Sequence, residues 1–175
     1  MMIGGISALI LQAQHPAALA GVWDHSTFQS DLRGRLKRTA YFIAATTYGG
    51  KEMATVAINR VKSIHDHLHG TLPDGKRYRV SDPHLLYWVH LTEITSFLRS
   101  YETHRGGRLN RQSKDQYVAE MSLIARGLGC DLKDANGKDR LAMTYNQALT
   151  DIRSYRSELD YSERTQSVIA LIENA

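Results

Sequence analysis

Apolar residues recur at spacings of three and four through most long segments of this 175-residue chain, and strict apolar–polar alternation never runs beyond a few residues. Only three prolines punctuate it. The pattern predicts an all-α fold of about six to seven helices. The length suits one domain with its own core, so 1–175 is expected to be a single helical domain.

Helix starts and stops divide the chain. Asp31 caps a segment in which Leu32, Leu36, Thr39 and Ile43 share a face, and Tyr48-Gly49-Gly50 stops it. A second segment from about Lys51 to His69 aligns Met53, Ala57, Val61, Ile64 and Leu68, with Gly70 as its stop. Between Gly70 and Ser81, Pro73-Asp74-Gly75 marks a small hairpin or loop. Asp82-Pro83 then places a capping carboxylate before a proline whose missing N–H costs a helix start nothing. Capping-box spacings at Ser113 with Gln116 and Thr144 with Gln147 predict helices near 114–126 and 145–156. The last helix, from about Ser162, carries Val168, Ile169, Leu171 and Ile172 almost to the end of the sequence. Such a face calls for a cover, either a second chain through self-association or further residues of a longer domain.

Composition narrows the classes. With 42% hydrophobic and 23% charged residues the chain is expected to be neither disordered nor an integral membrane protein. A formal charge of +4, from 22 basic and 18 acidic residues, leaves no footprint for a nucleic-acid partner. Cys130 stands alone, so no internal disulfide framework exists and the cytoplasm is the expected compartment. The start, MMIGGISALILQAQHPAALAGV, lacks a basic leader region and is interrupted by Gln12, Gln14, His15 and Pro16. It is expected to be a buried helix of the domain, without stable membrane insertion.

Eight histidines carry the chemical interest. His65, in RVKSIHDHLHG, follows Ile58 by seven residues and Val61 by four, so its ring shares their apolar side. His67 points the opposite way, to solvent. A histidine so placed is either a metal ligand or a hydrogen-bonded core residue. Arg35 and Thr39 are four apart, near the Leu32–Leu36 face, so a guanidinium turns partly inward and requires an anion or another acceptor; an Arg–carboxylate pair at the helix edge would also meet that need. A haem answers both features, since iron takes a neutral imidazole and the propionates take cationic donors. His15 and His90 fall in apolar helical surroundings, where they either line a distal cavity, hold a non-haem metal or simply form core hydrogen bonds. His65 and His69 have an i, i+4 chelate spacing, and Asp24-His25 is a neighbouring acid–base pair whose members should face different ways.

The segments LILQAQHPAALAGVWDHSTFQSDLRGRLKRT, YGG, NRVKSIHDHLHG and GKRYRVSDPHLLYWVH, in this order, resemble the MpaB-type oxygenase family, related to latex-clearing protein and rubber oxygenase. The likeness covers most of residues 4–101 and thins afterwards, returning in YVAEMSLIARGLG and YRSEL. It implies a helical haem b protein with the cofactor buried between helices and His65 as proximal iron ligand. It also implies that Arg35 and Thr39 lie near the haem, with Arg38 as a basic neighbour, and that dioxygen oxidises an apolar, isoprenoid-type substrate. The glutamate that rubber-cleaving members use as a base has no counterpart before Arg35, where only Asp24 and Asp31 stand. The resemblance further implies an oxidoreductase whose relatives extend past the position of Ala175. Two other classes remain open: a binder of haem or a lipophilic ligand without turnover, and a non-haem metalloenzyme built on His15, His65 and His90.

Overall fold

The computed structural model describes residues 2–26, 30–105 and 107–173. The fold is all-α, with helices α1 (Met2–Gln12), α2 (Pro16–His25), α3 (Leu32–Tyr48), α4 (Lys51–His67), α5 (Pro83–His104), α6 (Arg111–Gly127), α7 (Tyr145–Ser154) and α8 (Glu163–Glu173). A 3₁₀ turn, Tyr155–Glu158, extends α7, and a two-stranded hairpin, β1 (His69–Thr71) and β2 (Arg77–Arg79), separates α4 from α5. Among the described residues, no helix is long and apolar enough to cross a membrane.

The expected N-terminal helix is two helices. Pro16 has no N–H to continue α1 and sits at the start of α2, where His15 Nδ1 caps by accepting from Ala17 N at 3.2 Å. The other caps follow their side chains: Asp31 accepts from Gly34 N, Asp82 from His84 N and Leu85 N, and Thr144 from Gln147 N. At α6, Asn110 takes the role expected of Ser113 by accepting from Ser113 N at 2.8 Å, which starts the helix three residues earlier. α4 stops at His67, before Gly70, because His69 pairs with Arg79, Gly70 with Tyr78 and Thr71 with Arg77 in the antiparallel hairpin. Gly75 turns that hairpin at a φ of 86°, a backbone conformation that side chains oppose.

α5 is the central element. Eleven of its 22 residues are buried, with Trp88, Leu91 and Ile94 among the least exposed side chains of the core. α1 lies along it because glycine permits close approach: a Cβ on Gly4 would come within 2.8 Å of Phe97 Cδ1 and 3.1 Å of its Cα. α6 and α7 pack on other sides of α5, and α3 packs on α4, which in turn meets α6. The α8 face carrying Val168, Leu171 and Ile172 joins Ala13, Leu19, Val22, Trp23 and Leu32 in one cluster, which buries Val168 and leaves Leu171 and Ile172 partly covered from within the chain.

Two tyrosines tie distant segments. Tyr87 donates to Asp151 Oδ2 at 2.5 Å and accepts from the buried Ala142 N–H at 2.9 Å, fixing α7 and the loop before it to α5. Tyr87→Phe leaves that N–H unpaired and is expected to cost about 1–3 kcal/mol. Urea unfolding checks this; an unchanged midpoint would show that the hydroxyl contributes nothing. Tyr78, on β2, donates to Asp24 Oδ2 at 2.9 Å and lies 3.2 Å from His25 Nε2, so Asp24 and His25 converge on one phenol despite being adjacent. Arg164 of α8 adds a contact of 3.7 Å to Asp24. Burial and the Asp24 carboxylate push the Tyr78 hydroxyl up to about 12, so it stays a donor and clamps the hairpin to α2.

Candidate active site

α3 brings Arg35 into the protein on the side of Leu36 and Thr39, all three half-buried. The Arg35 guanidinium has no ion-pair or hydrogen-bond partner among the described residues. Burial, and secondarily the positive charge of Arg38, lower its pKa. The local carboxylate serves Arg38 instead: Asp31 Oδ2 is 3.5 Å from Arg38 Nη1, with both side chains largely exposed. Arg35 is thus an enclosed cation awaiting a counter-charge, the costlier of the two arrangements the sequence allowed.

α4 positions His65. The Ile58–His65 face turns toward α6, where Gly127 packs so closely that a Cβ would meet Ile58 Cγ2 at 2.9 Å. Nδ1 of His65 is buried without a hydrogen-bond partner. Burial depresses its pKa more than the exposed Asp66 raises it, so the ring is held neutral. His67 is exposed and places Nδ1 2.7 Å from Ser63 O, as its opposite facing requires. His69 lies in β1, beyond the helix end, which removes the i, i+4 chelate geometry.

α5 contributes a third surface. Successive side chains turn about 100° around a helix. His84 and Trp88 face Tyr155 and Glu158; Thr92, Phe97 and Ser100 face α1; and Glu102 meets Lys114 of α6 at 2.7 Å. By the same rotation Glu93 falls between Ser100 and Phe97, on the side of α5 that meets α1, and His90 lies between Phe97 and Tyr87, on whose ring it stacks at 6.4 Å. His90 Nε2 is buried without a partner, and burial pushes the ring's pKa down to about 4. Among the described residues the Glu93 carboxyl has no ion-pair or hydrogen-bond partner, and burial pushes it up to about 7. Arg35, His65 and Glu93 are all strongly desolvated yet keep part of their surface accessible.

His15 belongs elsewhere. It packs 6.1 Å from the Trp88 ring, and Trp88 is two positions, hence about 200°, from His90 around α5. Its Nδ1 caps α2 and its Nε2 points to Glu158 at 3.6 Å, an electrostatic contact beyond hydrogen-bond range. Among the described residues no group of three or more His, Cys, Asp or Glu side chains is arranged to hold a metal ion, so His15, His65 and His90 do not form one ligand set. A surface hollow of about 700 Å³ beside Arg111, Asp115 and Met143 contains none of these residues.

Residues 1–172 match the family described as ER-bound oxygenase mpaB/B'/Rubber oxygenase, catalytic domain. The chain belongs to this oxygenase family. No curated protein and no solved structure matches it. An MpaB/rubber-oxygenase catalytic domain uses dioxygen and a substrate, and the residues found here suit a haem: an inward, neutral imidazole with a buried unpaired nitrogen, and an enclosed guanidinium with no protein anion. Glu93 was not singled out by sequence pattern in this oxygenase domain. Its signal was a lone carboxylate in LLYWVHLTEITSF, three residues after His90 and seven after Leu86, a charge on an apolar face.

Proposed function

We propose that this domain, read as one unit over 1–175, binds haem b through His65 and catalyses dioxygen-dependent oxidation of an apolar, isoprenoid-type substrate. The observation that carries the reading is His65, neutral, inward-facing and unpaired at Nδ1 in a chain of this oxygenase family. When bound, the haem supplies the iron centre at which dioxygen is activated for cleavage of a carbon–carbon double bond. His65 would hold the iron and set its electronics through an uncharged ring. Arg35 would give its unmet charge to a propionate, a charge-assisted pair stronger than a neutral hydrogen bond. Arg38 would reach the same anion only by leaving Asp31. Thr39, one turn from Arg35, would shape the wall beside it, and His90 would line the cleft with a ring that stays neutral at physiological pH.

The second reading, a haem or lipophilic-ligand binder without turnover, rests on the same enclosed residues and differs only in chemistry. Oxygen consumption by the haem-loaded domain given short polyprenyl substrates separates them. Uptake that requires both haem and substrate is expected. Haem binding without substrate-dependent uptake across such a series would contradict the oxygenase reading and leave the binder.

A further inference from the structure

α3 and α4 each turn a stripe of large side chains away from the rest of the protein. On α3, Arg33, Lys37, Tyr41 and Tyr48 fall within about 80° of one another around the helix, and all are exposed, the tyrosines by 65% and 77%. Tyr41 is nine positions, hence about 180°, from Leu32, which packs in the cluster with α8. On α4, Met53, Val56, Arg60 and Ile64 share a second exposed face of similar width. Arg60 is two positions, hence about 200°, from Ile58, which packs on Gly127 of α6. Five of the ten large hydrophobic side chains exposed among the described residues lie on these two faces. α3 contains no acidic residue, and residues 31–67 hold seven Lys and Arg against three Asp and Glu, a balance of +4 that equals the whole chain's. Of the acids, Asp31 pairs with Arg38, Asp66 pairs with Lys62, and Glu52 borders the α4 face in its first turn.

We propose that the α3–α4 hairpin docks on an anionic lipid surface, its two stripes lying in the interface without crossing the bilayer. Tyrosine rings and the stems of lysine and arginine suit that boundary, with apolar bodies toward the acyl chains and polar tips among the headgroups. Anionic headgroups would meet Arg33, Lys37 and Arg60, which have no ion pair among the described residues. A second copy of the chain fits worse, since a two-fold contact through this face would set each row of cations against itself. A nucleic-acid backbone would satisfy the cations and leave Met53, Val56 and Ile64 in water. Arg35 and His65 point another way on the same helices, about 160° from Lys37 and about 140° from Arg60, so docking leaves them free. The contact does not depend on haem, and it would bring the domain to the phase in which apolar chains of the class proposed above dissolve.

Flotation of the purified full chain with phosphatidylcholine vesicles, with and without phosphatidylserine, tests this. Binding is expected only where phosphatidylserine is present, and it should weaken as added salt screens the headgroups. Lys37→Gln with Arg60→Gln should lower the affinity by about fivefold per charge removed. Val56→Ser with Ile64→Ser should lower it by on the order of tenfold, because less apolar surface enters the interface. Arg153→Gln with Arg156→Gln, the same loss of charge on α7 and the turn after it, should leave it unchanged. All six side chains are exposed, so each variant should fold, and circular dichroism checks that it does. Tyr48→Trp sets a reporter indole on the α3 face, and its emission should shift to the blue when the anionic vesicles are added. Absence of flotation with phosphatidylserine vesicles at low salt overturns the proposal, as does an equal loss in the α7 control. Flotation with no shift in the Tyr48→Trp emission places the contact on another surface and also overturns it. Self-association of the wild type that the Val56, Ile64 variant abolishes, without vesicle binding, assigns the face to a second copy instead.

Discussion

Glu93→Gln is expected to stabilise the ligand-free domain relative to the wild type by roughly 3 kcal/mol at pH 8 and to leave it unchanged at pH 4. Burial raises the folded carboxyl from its ordinary 4.5 to about 7. The unfolded chain therefore releases this proton first. Stability from the protonated group is full below the unfolded pKa and is lost as pH rises through the folded one, a window from about 4.5 to about 7. Glutamine has the same shape and no charge to desolvate, so it escapes the loss. His90 acts with the opposite sign. Its pKa is depressed from 6.5 to about 4, so its neutral form supports the fold above pH 6.5, and that support is lost as pH falls through about 4. The two effects oppose each other between about 4.5 and 6.5 in the wild type, and the variant removes one of them. Urea unfolding of both proteins across this range measures the difference. An equal difference at every pH would mean that Glu93 is hydrated in the folded state and that burial does not raise its carboxyl.

The fold was legible where local chemistry decides it. Asp31, Asp82-Pro83 and Thr144 each cap as their side chains dictate, and the 3.6-residue period identifies α3 and α4, although Met53 and Ile64 of the expected α4 stripe are exposed. Local chemistry misled where two signals competed. His15-Pro16 looked like an interruption within one apolar helix, but the proline's missing N–H and the imidazole's acceptor make it a boundary. Gly70 looked like a helix stop, yet its lack of a side chain serves Tyr78, whose hydroxyl would lie 2.7 Å from a Cβ there. That contact spans the hairpin, and no local window contains it.

The site was partly legible for the same reason. His65 and Arg35 could be placed on inward faces from spacing alone, because the face is a property of one helix. Whether Arg35 meets a carboxylate depends on which residues the tertiary fold brings near, and Asp31 turns to Arg38 instead. His15 and His90 looked alike in sequence as histidines among apolar residues. Their separation around α5 appears only when Trp88 is seen packed on His15. Glu93 is the converse case, since its charge stood in plain view in an apolar helix but only the folded chain buries its carboxyl.

His65→Ala is expected to have the largest effect on the cofactor. Removing the imidazole leaves the cleft's apolar surface and Arg35 to hold a haem without an iron ligand, and affinity should fall by at least about 100-fold, more than loss of a supporting group outside the metal's own ligands. His67→Ala is the matched control, because that ring is exposed and bonded to Ser63 O within its own helix. Its affinity should equal the wild type's. Imidazole added to His65→Ala should restore part of the ligand field, which a merely packing role for His65 would not allow.

The most direct measurement is a haem titration of the purified wild type and His65→Ala, followed in the visible spectrum. The account predicts a Soret band in the wild type that saturates at one haem per chain and is lost or displaced in the variant. A wild type that develops no such band after reconstitution would contradict haem binding, and a band identical in the variant would contradict His65 as the ligand.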